Sequence, residues 1–282
     1  MTIKIIAEIG ANHNGDMTLA KEMIWAAAEN GANYAKFQSW LEKDIVKGPW
    51  DSPDPFFQFK NKRDFYKNAQ LSNNNHFLLM EECKKAKIEF LTTCFNYKRL
   101  PFLKTLGIDT MKISSFDAIS NKMIDMIDAS FDKLIISTGM TKFDKVKNLI
   151  NRMEAKKKSY ALLHCVSIYP TPIEKIKMSR FLSIKNMLGE FGEFGISDHS
   201  LGSFFPKVAV SLGAKWIEKH FTIDKRIPGP DNFMSINPQE LNDIRSFCNE
   251  YKKLDYDIDS LDVTEEENNL KKIIFDRFGS NR

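Results

Sequence analysis

The chain has 282 residues, 43% of them hydrophobic and 22 of them phenylalanine, which is enough to fill a sizeable core. Its 41 basic and 37 acidic side chains are mixed along the chain and leave a net charge of +4, which excludes a nucleic-acid surface built on a basic block. The four cysteines (Cys83, Cys94, Cys165, Cys248) show neither metal-ligand spacing nor a disulfide pattern, and the opening MTIKIIAEIG is too short in apolar residues for a signal peptide or a membrane span. A cytoplasmic protein with no nucleic-acid or membrane partner is expected.

In chain order, short apolar runs of strand length alternate with helix-length stretches. IKIIAEI (3–9) is followed by TLAKEMIWAAAENG, where Thr18 is a candidate N-cap and Gly31 a stop. YAKFQ (34–38) leads into the longest irregular insertion, residues 39–65, read as a lid or binding loop from its proline, aromatic and charged residues. EFLTT (89–93), TMKIS (110–114), KLIIST (133–138), YALLHCV (160–166), EFGIS (193–197) and KWIEKHF (215–221) bring the total to eight runs. NPQELNDIRSFCNEYKKL reads as a final helix, closing a domain of residues 1–254, and 255–282 as a charged tail. Eight repeats of this kind predict an α/β fold, the (β/α)8 TIM barrel. An open doubly wound sheet would prefer a GxGxxG after its first strand, and none is present.

In such a barrel the carboxyl ends of the strands surround the active site. Polar residues stand at that end of nearly every run: Glu8, Lys36 with Gln38, Thr93, Lys112 with Ser114 and Ser115, Ser137, His164 with Ser167, Ser197 with His199, and Glu218 with His220. One such residue is ordinarily a cap; the whole set points to a pocket. Lys36 and Lys112 lie inside apolar runs, where an ammonium is costly unless it meets an anion, so with the neighbouring hydroxyls they suit a phosphate or carboxylate. A structural network with Glu8 or Glu218 is compatible with that role. His199 and His220, on adjacent strands, suit either a structural role or an open site for a divalent metal such as Mn, Fe, Co or Zn, with Asp198 and Glu218 orienting the ligands. AEIGANHNGD adds Asn12, His13 and Asn14 on a loop that approaches a ligand, HCVSIYPTP sets Ser167 and Tyr169 before two prolines, and IPGPDNFMS holds Asp231 in a turn. Cys94 and Cys165, with apolar flanks, read as core rather than nucleophiles.

Together AEIGANHNGD, AKFQ, KISSFD, STGM, LLHCVSIYPTP, GISDHSLG and EKHFTIDKRIPGPD resemble the sialic acid synthase family, from about residue 3 to residue 250. The resemblance implies a synthase that condenses phosphoenolpyruvate with an aldose, an N-acetylated hexosamine derivative, to give a 2-keto-3-deoxy sugar acid of the nonulosonate type for surface glycans. It implies a divalent metal on His199 and His220, manganese by preference with magnesium or cobalt as alternatives, and a homodimer. The phosphoenolpyruvate site resembles Lys36, Thr93, Lys112, Ser115, Ser137, Ser167, Tyr169 and Ser197, and the sugar site Glu8, Gln38, Asp117, Tyr169 and Asp231. Glu8, Lys112 and the two histidines are the expected catalytic groups, Glu8 handling the water or the tetrahedral intermediate. Asp117 stands where many members carry Glu, and Ser167 where some carry Asn. The antifreeze-like C-terminal domain of typical members, which lends an Arg to the neighbouring subunit, is not seen, and VTEEENNLKKIIFDRFGSNR resembles the linker leading into it. KISSFDAIS is closer to the pseudaminic and legionaminic branch than to the animal enzymes. The alternatives are condensation with a different aldose, or a catalytically weak barrel acting as a scaffold.

Overall fold

The computed structural model describes residues 3–45, 61–254 and 262–279. Eight strands, β1 (Lys4–Gly10), β2 (Tyr34–Ser39), β3 (Glu89–Cys94), β4 (Thr110–Ile113), β5 (Lys133–Ser137), β6 (Ser159–Cys165), β7 (Gly192–Asp198) and β8 (Trp216–His220), form a closed barrel in sequence order. Every neighbouring pair is parallel, and β8 closes on β1. The expected (β/α)8 barrel is therefore what the chain forms, with strand limits close to the apolar runs. The helices are α1 (Met17–Glu29), α2 (Lys62–Ala69), α3 (Asn73–Lys85), α4 (Leu100–Lys104), α5 (Asn121–Asp128), α6 (Phe143–Ala155), α7 (Met178–Met187), α8 (Phe204–Ser211), α9 (Pro238–Tyr251) and α10 (Glu265–Phe278).

Strand side chains alternate between the barrel interior and the helical shell. Inside, Ile6, Leu91, Ile135, Ala161, Leu163 and Trp216 form a fully buried cluster. Each large member contributes roughly 1.5–3 kcal/mol on removal from water. Two residues further along the same strands, the same interior face carries Glu8, Thr93, Ser137 and Glu218, so the core directly underlies the polar groups. Outside, α1 buries Ala20, Met23, Ile24 and Ala27, the spacing of a single helix face.

Two local expectations change. The N-cap of α1 is Asp16, not Thr18: the Asp16 carboxylate accepts from the Thr18 and Leu19 amides at 2.7 and 3.2 Å. A short carboxylate at that position both satisfies free amides and complements the helix dipole. The 255–282 segment is not only a charged run, since α10 occupies its middle. Thr264 accepts from the Glu267 amide while the Glu267 side chain accepts from the Thr264 amide, a reciprocal cap written as T-x-x-E in the sequence. The chain divides into two compact units, Met1–Asn249 and Glu250–Arg282. Of the 39–65 insertion, a short turn at Glu42–Asp44 and the start of α2 are described, and residues 46–60 lie outside the described residues.

Candidate active site

At the carboxyl end of the barrel the strand register sets the polar residues side by side. Glu8 is level with Lys36 on β2 and with His220 on β8, Thr93 with Gln38 and Lys112, and Ser197 with Glu218. They line one cleft of about 150 Å³ together with Ser115, Ser137, Tyr169 and His199.

The floor of the cleft is a four-membered ionic cluster. Lys36 Nζ lies 2.7 Å from Glu8 Oε2 and 3.6 Å from Glu218 Oε1, and it donates to Thr93 Oγ1 at 3.0 Å. Lys112 Nζ lies 3.5 Å from the same Glu218 oxygen and donates to Ser137 Oγ at 2.6 Å and to the Ile113 carbonyl at 3.2 Å. All four side chains are buried. Burial opposes the charge on both lysines, yet the outcomes diverge. For Lys36 the carboxylates of Glu218 and Glu8 outweigh burial and hold the ammonium above the usual lysine range. For Lys112 burial wins, with Lys36 adding repulsion against a single shared carboxylate, and its pKa falls. Lys112 is thus the less compensated cation and the group that gains most from an arriving anion.

Two glycines shape the surroundings. Gly10, at φ +55° beside an irregularity in the β1–β2 register, leaves room where a Cβ would come within 3.1 Å of Glu8 Oε1 and 3.2 Å of Gln38 Nε2. Gln38 Nε2 uses that space to donate to Glu8 Oε1 at 2.7 Å. At Gly139 a Cβ would lie 2.3 Å from Ser167 Oγ and 2.7 Å from Ser115 Oγ, and the Gly139 amide donates to Ser115 Oγ at 3.0 Å. The Ser115 and Ser137 hydroxyls so line the cleft with Lys112, with Ser115 held by the Gly139 amide, a donor set that suits an oxyanion.

His199 and His220 meet across the cleft with ring centroids 5.6 Å apart. His199 Nδ1 lies 3.0 Å from the Val166 carbonyl; a proton there donates to that oxygen and leaves Nε2 with a free lone pair. Ligating imidazoles are ordinarily oriented in this way. His220 Nδ1 is buried without a hydrogen bond, 3.8 Å from Asp231 Oδ2, and Glu218 Oε2 is likewise buried without one. The two imidazoles fit a shared divalent ion whose bonds to nitrogen are about 2.1 Å. Among the described residues no group of three His, Cys, Asp or Glu side chains surrounds such a point, so the other positions would fall to water and substrate oxygens. Tyr169, joined to Pro170 by a cis bond, sets its ring over His199 at 4.1 Å between centroids.

Three expected contacts lie off the cleft wall. Ser167 is reached through Ser115 and Gly139, and Asp231 sits behind His220. Asp117 is buried at the start of a short 3-10 turn, accepting from Ser114 Oγ at 2.7 Å; burial pushes its carboxyl up to about 6.

Side-chain alternation removes several other readings. His164 is one residue out of phase with interior Leu163 and Cys165, and its ring contacts the Ile176 carbonyl and Phe181 instead. Asp198 is out of phase with Ser197 and accepts from Lys219 Nζ at 2.8 Å and from Ser200, so it does not orient a cleft histidine. Glu218 binds the lysines rather than a histidine. Asn12 donates to the Phe221 carbonyl and Ser235, and Asn14 to the Pro228 carbonyl, bracing the loop after β8 instead of facing a ligand. Cys165 is buried, as expected, but under the site, with Sγ 3.9 Å from His199 Nδ1. The cleft residues absent from the sequence reading are Phe95, Phe116 and Met140, apolar residues in loops after β3, β4 and β5, for which strand-end polarity offered no signal.

The fold and site define a closed (β/α)8 barrel whose carboxyl face gathers two buried lysines, several hydroxyls and two facing imidazoles in one cleft. The chain belongs to the NeuB family, whose profile matches residues 23–258. It is 35% identical to the N,N'-diacetyllegionaminic acid synthase of Legionella pneumophila over 258 residues, 86% of this chain and 70% of that protein. It is 34% identical to the enzyme of the same name from Campylobacter jejuni, covering 89% of this chain and 75% of that one. Its fold is similar to the crystal structure of N-acetylneuraminic acid synthetase from Leptospira borgpetersenii in complex with citrate, with TM-score 0.83 and 29% identity, covering 100% of this chain and 94% of that one.

Proposed function

We propose that this chain condenses phosphoenolpyruvate with an N-acylated amino-aldose and water, releasing inorganic phosphate and a 2-keto-3-deoxy sugar acid of the nonulosonate type. The observation that carries this reading is the under-compensated Lys112, with Ser137 and Ser115, lining the same cleft as the paired imidazoles. Family membership with synthases of such sugar acids supports it.

Lys112 and Lys36 hold the carboxylate and phosphate of phosphoenolpyruvate, with Ser115, Ser137, Ser197 and Thr93 supplying neutral donors. A divalent ion on His199 and His220, manganese in this reading, would supply Lewis-acid polarisation of the open-chain aldehyde. The enol C3 then attacks the aldehyde carbon, whose oxygen takes up a proton; water adds at C2 and gives up a proton, and loss of phosphate by C–O cleavage leaves the ketone. Glu8 is fixed by Gln38 on one oxygen and Lys36 on the other, so it presents a positioned carboxylate that takes the proton of the incoming water. The Asp231 carboxylate lies 3.8 Å from His220 and acts on it through its charge, and Tyr169 packs against His199 beside the acceptor.

The reading includes a cytoplasmic location, where phosphoenolpyruvate is made, in keeping with four buried cysteines; no described helix is long and apolar enough to cross a membrane. It also includes a homodimer, supported by the exposed apolar residues Leu270, Ile273 and Ile274 on α10. The test is phosphate release from phosphoenolpyruvate with Mn(II) and a panel of N-acylated and plain aldoses. Sugar-dependent phosphate is expected, and its absence with every aldose sinks the proposal. His220→Ala should lose bound metal by elemental analysis with an unchanged circular dichroism spectrum.

A further inference from the structure

Followed downwards, the strand columns that end in the cleft begin in a second polar layer. On β1 the inward residues run Lys4, Ile6, Glu8; on β3 Glu89, Leu91, Thr93; and on β5 Lys133, Ile135, Ser137. Alternation dictates this, because residues two apart on a strand share a face. The middle layer is the fully buried apolar cluster that includes Trp216, and it separates the two polar ends. Register sets Lys4 level with Trp216, Tyr34 with Glu89, and Thr110 with Lys133. Below this layer lies an open cavity of about 870 Å³, within the size range of small-molecule sites. Lys4, Tyr34, Glu89 and Lys133 border it, and Lys84 and Lys87 reach it from the end of α3. This end of such a barrel ordinarily serves stability; here it is also a container with four lysines on its walls.

The charges around the cavity are unevenly matched. Lys4 and Lys133 converge on one carboxylate oxygen, Glu193 Oε2, at 3.8 and 2.5 Å. Burial and the adjacent Lys133 hold Lys4 below the usual lysine range despite Glu193. Lys84 and Lys87 are exposed, and among the described residues neither has an ion-pair partner. Facing these ammonium groups are two carboxylates of the wall, Glu89 and Asp109, both close enough to raise the pKa of the Tyr34 hydroxyl along with its burial. Tyr34 packs on Trp216 with centroids 5.5 Å apart and, with Leu106 and Ile108, supplies an apolar side. Each feature selects a part of a ligand. Lysines short of carboxylate suit phosphate oxygens. Carboxylates repel a bare polyanion but accept from vicinal hydroxyls, as they do from ribose in dinucleotide sites. An aromatic and aliphatic side suits a flat heterocycle. We propose that this cavity is a binding site for a nucleoside diphosphate, with its phosphates on the lysines, its ribose hydroxyls on Glu89 and Asp109, and its base against Tyr34.

The test is calorimetric titration of ADP, CDP, GDP and UDP, with pyrophosphate and the four nucleosides as fragments. EDTA is present, so that no metal bridges a nucleotide to the imidazoles of the cleft. At least one diphosphate should bind about tenfold or more tightly than pyrophosphate or its own nucleoside, since burial of the base adds to the phosphate contacts. Its 2′-deoxy form should bind more weakly, by the loss of a hydrogen bond to a carboxylate. Lys84→Glu combined with Lys87→Glu, at two exposed positions, should weaken it about tenfold or more through like-charge repulsion, with melting temperature and circular dichroism unchanged. Lys112→Met, at the opposite end of the barrel, should leave the affinity as it is. No binding by any diphosphate, pyrophosphate binding as tightly, or a deoxy form binding equally would overturn the site. So would an unaltered affinity in the double lysine variant, or a loss of affinity in Lys112→Met, which would put the nucleotide in the cleft instead.

Discussion

Both ends of this barrel carry lysine and glutamate clusters, and their difference shows how one residue chemistry serves two purposes. At the amino-terminal end Glu193 Oε2 accepts from the Trp216 indole at 2.9 Å and from Lys133 Nζ at 2.5 Å, with Lys4 at 3.8 Å. Both ammonium groups also lie over the Trp216 ring, at 4.5 and 4.7 Å. Each of these three charges has a partner in the chain, although Lys4 and Lys133 also border an open cavity of about 870 Å³. At the carboxyl end Lys36, Lys112, Glu8 and Glu218 are more deeply buried, yet Lys112 shares its carboxylate and Glu218 Oε2 and His220 Nδ1 have no hydrogen bond. Charge left incompletely matched in a buried cleft is stabilisation held in reserve for a ligand, as expected of the active end of such barrels.

Substitution at the mouth should therefore cost function and substitution at the floor stability. The largest effect is expected from Lys112→Met, which keeps the volume but removes the under-compensated cation. Its kcat/KM for phosphoenolpyruvate should fall by about 10²–10³-fold or more, with a melting temperature close to the parent's because an apolar replacement also removes a buried charge. A normal kcat/KM would erase the contrast between the two ends.

Acid should act next. Burial holds His13, His76 and His164 neutral, at about 4 instead of 6.5. Below 6.5 the unfolded chain binds protons that the native chain refuses, so stability should fall as pH drops from 6.5 towards 4, by up to about 3 kcal/mol for each histidine. Asp117 works the other way: with its carboxyl raised to about 6, stability is lost as pH rises from 3.8 through 6. Three histidines against one aspartate predict net acid lability, and urea midpoints that stay level from pH 7 to pH 4.5 would contradict it. The smallest effect is expected at the floor. Glu193→Gln keeps an acceptor for Trp216 but weakens the hold on two half-exposed lysines, a loss of about 1 kcal/mol, seen as a melting shift of about 2–4 °C with unchanged turnover per folded molecule.

The strands were legible because each is a short apolar run between punctuated helices, and the cleft was legible because polar residues recur at the strand ends. His164 and Asp198 show where that reading failed. Both sit at the right height but one residue out of phase, and position along a strand says nothing about its face until the alternation is anchored to an interior residue such as Leu163 or Ser197. The aromatic wall of Phe95 and Phe116 was invisible for a different reason: apolar loop residues resemble core in a linear sequence, and only the closed barrel leaves them exposed beside a polar cleft. Thr264 and Glu267 did spell a cap, hidden within a run of charge.

By itself the sequence determined the eight βα units, the two lysines placed in apolar strands and the two histidines at the ends of the last pair, since periodicity and burial cost are local properties. Tertiary structure decided the rest. Barrel closure brings β8 against β1, which places His220 beside Glu8 and puts Glu218 within reach of both lysines. Lys36 thereby acquires two carboxylates and Lys112 only a share of one. That imbalance depends on distances of a few ångströms between residues nearly two hundred positions apart, which no local pattern encodes.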